Sequence, residues 1–174
     1  LSSIAYLFNQ LSRNIGWRYF IDEVVYNGNF TNSIFGVRAE RVNHFVGLEE
    51  LKLSPPKLKS EPPVFIFVSS LKRYHGIDRV LESFTASSVS GKLIIVGGND
   101  AQVADLQNQY NDERIEFFPF LEGKELDELF ERATIGLSAM SLHKIGIAMT
   151  SGLKVAEYAA RGLHVVISYE DVIL

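Results

Sequence analysis

From Val64 onward the chain repeats one rhythm: a short, continuously apolar run, then an amphipathic stretch. The runs are Val64–Val68, Leu93–Val96, Ile115–Phe118, Thr134–Ser138 and Val165–Ile167. The stretches between them carry apolar residues at helical spacing, as in Ile77, Val80, Leu81 and Phe84, or Val103, Leu106 and Tyr110. Strands that are apolar on both faces, separated by helices, predict a parallel sheet covered on both sides. Right-handed crossovers then favour an α/β, doubly wound, Rossmann-like sheet with strand order 3-2-1-4-5.

Before Val64 the pattern is different. Ile4, Leu7, Phe8, Leu11 and Ile15 have helical spacing, and Ile21 to Tyr26 reads as a short strand ending in the turn signal Asn27-Gly28-Asn29. Residues 31–36 are expected to form one more helical turn, and Arg41 to Val46 a second strand. Pro55-Pro56, Pro62-Pro63 and three interspersed lysines mark a linker over residues 48–63. The predicted organisation is therefore a short piece of one domain (1–47), a linker (48–63) and a second domain (64–174). The chain starts at Leu1 and stops on Val172-Ile173-Leu174 with no helix after it, so both ends read as cuts in something longer. A net charge of −4 argues against non-specific nucleic-acid binding, which needs a basic field. The absence of cysteine excludes disulfides and thiolate chemistry and fits a reducing compartment. No apolar run is long enough to span a bilayer.

In a doubly wound sheet, ligands sit beyond the carboxyl ends of the first and fourth strands, where the chain winds away in opposite directions. Two loops follow those strands. The first, Ser69 to Gly76, contains Ser69, Ser70, Lys72, Arg73 and His75. The second, Ser138 to Gly152, is long for such a connection and contains His143 and Lys144. It leads into a helix whose first amides, near Ser151, Gly152 and Leu153, would point at an anion. Ser151 equally fits a simple helix cap. Lys154 sits in the first turn, where the helix dipole disfavours a cation unless an anion meets it. Glu157 leans back toward the helix start, and its carboxylate can accept from the two hydroxyls of a ribose. For Lys72, Arg73, Lys154 and Glu157 the alternative is plain surface charge. His44 and His164 read as structural. Gly97-Gly98-Asn99-Asp100 lacks the spacing of a dinucleotide fingerprint, and no metal-ligand cluster, Walker sequence or nucleophile elbow occurs.

Four segments at these spacings resemble the C-terminal, nucleotide-sugar-binding half of GT-B glycosyltransferases, in the retaining group that makes surface polysaccharides. Phe67-Val68-Ser69-Ser70-Leu71 with His75-Gly76-Ile77-Asp78-Arg79 resembles that family's first strand and "K-G-x-D" helix start. Leu93 to Gly98 resembles "l-i-v-G-x-G". Ile115 to Leu121 with Glu125 to Phe130 resembles "v-x-f-x-G…e-l…l-y". Lys154 to Val166 resembles "K-x-x-E-y-x-A-x-G-x-P-V-v". The resemblance implies that Glu157 holds the donor ribose, that Ser151, Gly152, Leu153 and Lys154 lie near the diphosphate, and that the backbone of Pro119, Phe120 and Leu121 lies near the base. Four positions depart from the pattern: the family's earlier glutamate falls on Met149, the first loop's basic residue on Ser70, the lysine before glycine on His75, and the proline before strand five on His164. Lys72 and Arg73 are candidates to replace the lost phosphate contacts.

The function this implies is transfer of a sugar from a nucleotide-sugar donor to a carbohydrate or lipid-linked acceptor in polysaccharide biosynthesis. No metal or resident cofactor is expected, and no catalytic residue is assigned. The expected setting is the cytoplasm or the inner face of a membrane, reached through the missing domain, and the chain alone is expected to be inactive. A nucleotide-sugar 2-epimerase and a non-catalytic nucleotide-binding module are the alternatives.

Overall fold

The computed structural model describes residues 19, 21–26, 33–34, 37–42, 53–57, 62–150 and 152–171. The chain divides into two units, Leu1–His44 and Phe45–Leu174. In the first, strands β1 (Glu23–Tyr26), β2 (Ser33–Ile34) and β3 (Val37–Arg41) form one small sheet in the order β1-β3-β2. β1 runs parallel to β3, and β2 pairs with it antiparallel through Ile34↔Val37. Residues 33–34 are thus strand, not the expected helical turn, and the strand expected over 41–46 lies earlier. Two β-branched residues in tight antiparallel pairing override the local helical spacing. The helix expected over Ile4 to Ile15 and the turn at 27–29 lie outside the described residues.

The second unit is built on a five-stranded, fully parallel sheet. Its strands are β4 (Val64–Val68), β5 (Lys92–Val96), β6 (Ile115–Phe118), β7 (Ile135–Leu137) and, after an intervening short strand, β9 (His164–Val166). Their order, β6-β5-β4-β7-β9, is the expected 3-2-1-4-5. The fifth strand begins one residue early, so His164 pairs with Ile135 inside the sheet. The helices are α1 (Ile77–Ala86), α2 (Asp100–Gln109), α3 (Gly123–Arg132) and α4 (Leu153–Ala160).

Alternation along the strands divides the core. Ile66, Ile94 and Val96 pack with Leu129 and Phe130 of α3 and Tyr158 of α4. Phe67, Leu93 and Ile95 face the other way, onto Val80, Leu81 and Phe84 of α1, with Leu106 beside them. The central strands are therefore buried on both faces, which is what their unbroken apolar runs require. Helix α2 starts on a reciprocal cap: Asn99 Oδ1 accepts from Gln102 N, and Gln102 Oε1 accepts from Asn99 N.

The second loop is not featureless. It holds one turn of 3-10 helix (Leu142–Ile145) and the short strand β8 (Met149–Thr150), which pairs in parallel with β10 (Glu170–Asp171). Residues 53–57 are fastened to this unit: Ser54 N donates to Ala160 O and Lys57 N to Gly162 O. The Lys57 ammonium donates to the carbonyls of Phe130, Glu131 and Ala133, at the negative end of α3.

Candidate functional site at the sheet switch point

β4 and β7 pair only through Phe65↔Ile135 and Ile66↔Gly136. Beyond that point the ladder is replaced by one side chain. The Tyr158 hydroxyl accepts from Val68 N (3.1 Å) and donates to Leu137 O (3.4 Å). Its ring lies on Gly136, where a Cβ would come within 2.4 Å of Tyr158 Cδ2. A glycine inside a strand is the usual mark of such close approach. Tyr158 is fully buried, and burial pushes its phenol well above the ordinary range.

The first loop leaves β4 at this point and is tightly braced. Ser69 Oγ accepts from Leu71 N (3.0 Å) and is 2.5 Å from His75 Nδ1. Leu71 takes a φ of 55°, rare for a residue with a side chain. Gly97 permits this packing, because a Cβ there would sit 1.7 Å from Ser69 O. A turn of 3-10 helix, Arg73–His75, then leads into α1. Ser70, Lys72 and Arg73 are exposed, with the Lys72 ammonium 5.9 Å from the Tyr74 ring. Burial, and then the Lys72 charge, hold His75 below the ordinary histidine range.

The second loop closes onto the first, as the topology predicts. Met140 N donates to His75 O (2.8 Å), and the Arg79 guanidinium donates to Met140 O (2.7 Å). Gly76 packs against buried Ser141, with only 2.6 Å between a would-be Cβ and Ser141 Oγ. Lys144 is engaged with Asp78 at 3.2 Å, while His143 is exposed.

At the start of α4 an anion is already in place, supplied by the chain itself. Gly152 N donates to Asp171 Oδ2 at 3.1 Å. The close approach that glycine permits here is made by Tyr169, whose hydroxyl would be 2.5 Å from a Cβ on Gly152 and is 2.9 Å from Ser138 Oγ. Gly152, not Ser151, is the residue capping the helix; Ser151 lies outside the described residues. Leu153 is exposed on the first turn. Lys154 and Glu157 are brought together at 2.9 Å. Glu157 also faces Arg161 (3.5 Å), which pairs with Asp127 (2.6 Å) and lies over the Phe130 ring. The Glu157 carboxylate is therefore held between two cations on one helix face.

Pro119, Phe120 and Leu121 follow β6 on the same edge of the sheet. Phe120 N donates to Gly98 O (2.9 Å), and Gly98 in turn abuts Leu71 of the first loop. Phe120 is 69% exposed, whereas Leu121 packs into the α3 side of the core. Sequence reasoning missed Tyr158, Tyr169, Asp171 and Arg161. Gly136 was the available signal for Tyr158: a glycine inside an apolar strand run announces a neighbour pressing on it. The Tyr169-Glu170-Asp171 run after the fifth strand of the parallel sheet was the signal for Tyr169 and Asp171, and Arg161 carried no separate signal.

Residues 62–172 match the family model of Glycosyl transferases group 1, a span containing all five strands and both loops. The chain belongs to this family. The curated proteins contain no match to it. As a group 1 glycosyltransferase it is associated with transfer of a sugar from a donor to an acceptor, and the carboxyl-edge constellation is where its fold gathers polar groups. Among the described residues of this glycosyltransferase no helix is long and apolar enough to cross a membrane.

Proposed function

We propose that this chain is the C-terminal, donor-binding part of a GT-B glycosyltransferase of the retaining surface-polysaccharide group. The donor is a nucleotide-diphosphate sugar and the acceptor a carbohydrate or a lipid-linked saccharide. The observation that carries this reading is the Asp171 carboxylate on Gly152 N: the start of α4 binds an anion at the sheet's switch point. A donor diphosphate would take that place, flanked by Lys154 and by His75, Ser70 and Lys72 of the first loop. Departure of the nucleoside diphosphate would be stabilised electrostatically by helix amides and these donors. Glu157 can accept from a ribose diol while still paired with Lys154, since a carboxylate offers about four acceptor sites. Exposed Phe120 offers a flat surface to a base.

Met149 favours a second reading, a non-catalytic nucleotide-binding module, because a thioether makes no charged contact to a donor sugar. Glu170 argues for catalysis instead. It is the in-register partner of Met149 in the β8–β10 pair, and paired residues share a face, so a carboxylate stands beside the methionine. The remainder of the enzyme, its cytoplasmic or membrane-surface location and the inactivity of this chain alone belong to the same proposal.

Calorimetric titration with UDP, GDP and ADP, free and as their sugars, tests it. Binding of one series is expected; no binding by any nucleotide refutes the reading. Glu157→Ala with unchanged nucleotide affinity would remove the ribose assignment alone.

A further inference from the structure

The hydrogen bonds of the first loop decide the protonation pattern of His75. Ser69 Oγ already accepts the Leu71 N–H at 3.0 Å. Among the described residues the hydroxyl proton of Ser69 has one acceptor within reach, His75 Nδ1 at 2.5 Å. If Nδ1 carried the proton, two donors would converge on Oγ and the half-buried hydroxyl hydrogen would have no partner. Leaving such a group without a partner selects the other tautomer by roughly fivefold or more. The arrangement that gives every one of these groups a partner has Nδ1 as the acceptor and the hydrogen on Nε2.

We infer that Ser69 is a positioning residue: it holds His75 as the neutral Nε2–H tautomer, so that the ring offers an N–H to an anionic oxygen at the mouth of the first loop. For its ligand, a nucleoside diphosphate, this rests on the proposed function; for the tautomer it does not. Among the described residues Nε2 meets no acceptor of its own. Its neighbours suit an anion, with exposed Lys72 and Arg73 on the same turn. Two contacts hold the ring, the near-perpendicular Tyr74 ring at 4.5 Å and the Ser69 hydroxyl, while Met140 N–H fixes the His75 backbone through its carbonyl. Burial and the Lys72 charge both favour the neutral ring. A neutral, fixed N–H donor discriminates by geometry, whereas a flexible lysine acts as a point charge.

Long-range ¹H–¹⁵N correlation of the histidine rings in the unliganded 174-residue chain tests this directly. His75 is expected to show an unprotonated Nδ1 and a protonated Nε2 near neutral pH. Ser69→Ala is expected to mix the two tautomers, and Ser69→Thr, which keeps the hydroxyl, to restore the preference. A protonated Nδ1 in the parent chain overturns the inference, and so does a Ser69→Ala ring spectrum identical to the parent's. Pyrophosphate and UDP, but not uridine, are expected to shift the Nε2 signal. Ser69→Ala should weaken UDP binding by about 2- to 10-fold, the worth of one hydrogen bond. A parent chain that binds no nucleoside diphosphate counts against the proposed function, and the ring spectrum then decides the tautomer by itself.

Discussion

Tyr158→Phe isolates the one hydroxyl that joins β4 to β7 where their ladder stops. The ring packs on Gly136 and edge-on to Phe130 at 5.9 Å, and phenylalanine keeps both contacts. What is lost is the acceptor for Val68 N at 3.1 Å and a long, weak donation to Leu137 O at 3.4 Å. A net hydrogen bond is worth about 0.5–1.5 kcal/mol, and a buried donor left unpaired costs about 1–3 kcal/mol. Leu137 O adds little at its distance, and water has some access to Val68, so the expected loss is about 1–2 kcal/mol. This corresponds to a fall in Tm of roughly 3–8 °C for a domain of this size. Urea unfolding followed by circular dichroism should show a lower midpoint with unchanged m, since no surface is newly exposed. Amide exchange should quicken most at Val68. A loss under about 0.3 kcal/mol would mean that the hydroxyl does not substitute for a ladder bond, and the argument from the splayed strands would fail.

Lys57→Met removes an ammonium donating to three carbonyls at the end of α3 and should cost about 2–3 kcal/mol in urea unfolding, because charged hydrogen bonds are worth about twice neutral ones. Asp171→Asn should lower stability by about 0.3–1 kcal/mol, the value of a charge at a helix start, while tightening pyrophosphate binding in calorimetry. Weaker binding would show that the carboxylate does not compete with the ligand. Tyr158 is an acid whose folded pKa is raised by burial, so its contribution is fully present below the unfolded value of about 10 and is lost as pH rises above it. Stability should therefore fall above that pH by up to about 1.4 kcal/mol per unit for this group, and Tyr158→Phe should flatten that limb.

The sheet was legible because its signal is redundant. Five apolar runs, each short and separated by amphipathic stretches, point to a parallel α/β sheet, and right-handed crossovers favour the strand order found. Ile34 and Val37 show where that logic stops. Two to five residues carry no reliable period, and a pairing partner decides between helix and strand. The β8–β10 pair was hidden for the same reason: two residues on each side, with the partner 21 positions away in sequence.

The site divides along the same line. The meeting of the two loops was legible, since a switch point is a property of topology, and they do meet through Met140 and His75. The state of its groups was not. Reading Lys154 as a cation in need of an anion was sound physics, but the anion it meets in this structure is Glu157, three residues along the same helix. Reading the first amides of α4 as anion donors was equally sound, yet Gly152 is served by Asp171 from β10, beyond the fifth strand of the parallel sheet. A sequence states which charges a site needs; only the fold states which are supplied from within. The Asp171 carboxylate stands where the proposed ligand would place a phosphate, whereas Glu157 keeps acceptor capacity for a hydroxyl beside Lys154. Ligand binding at the start of α4 is then an exchange of partners, and affinity depends on how weakly Asp171 is held. That makes the internal contacts, more than any added cation, the place where substitution should change nucleotide affinity.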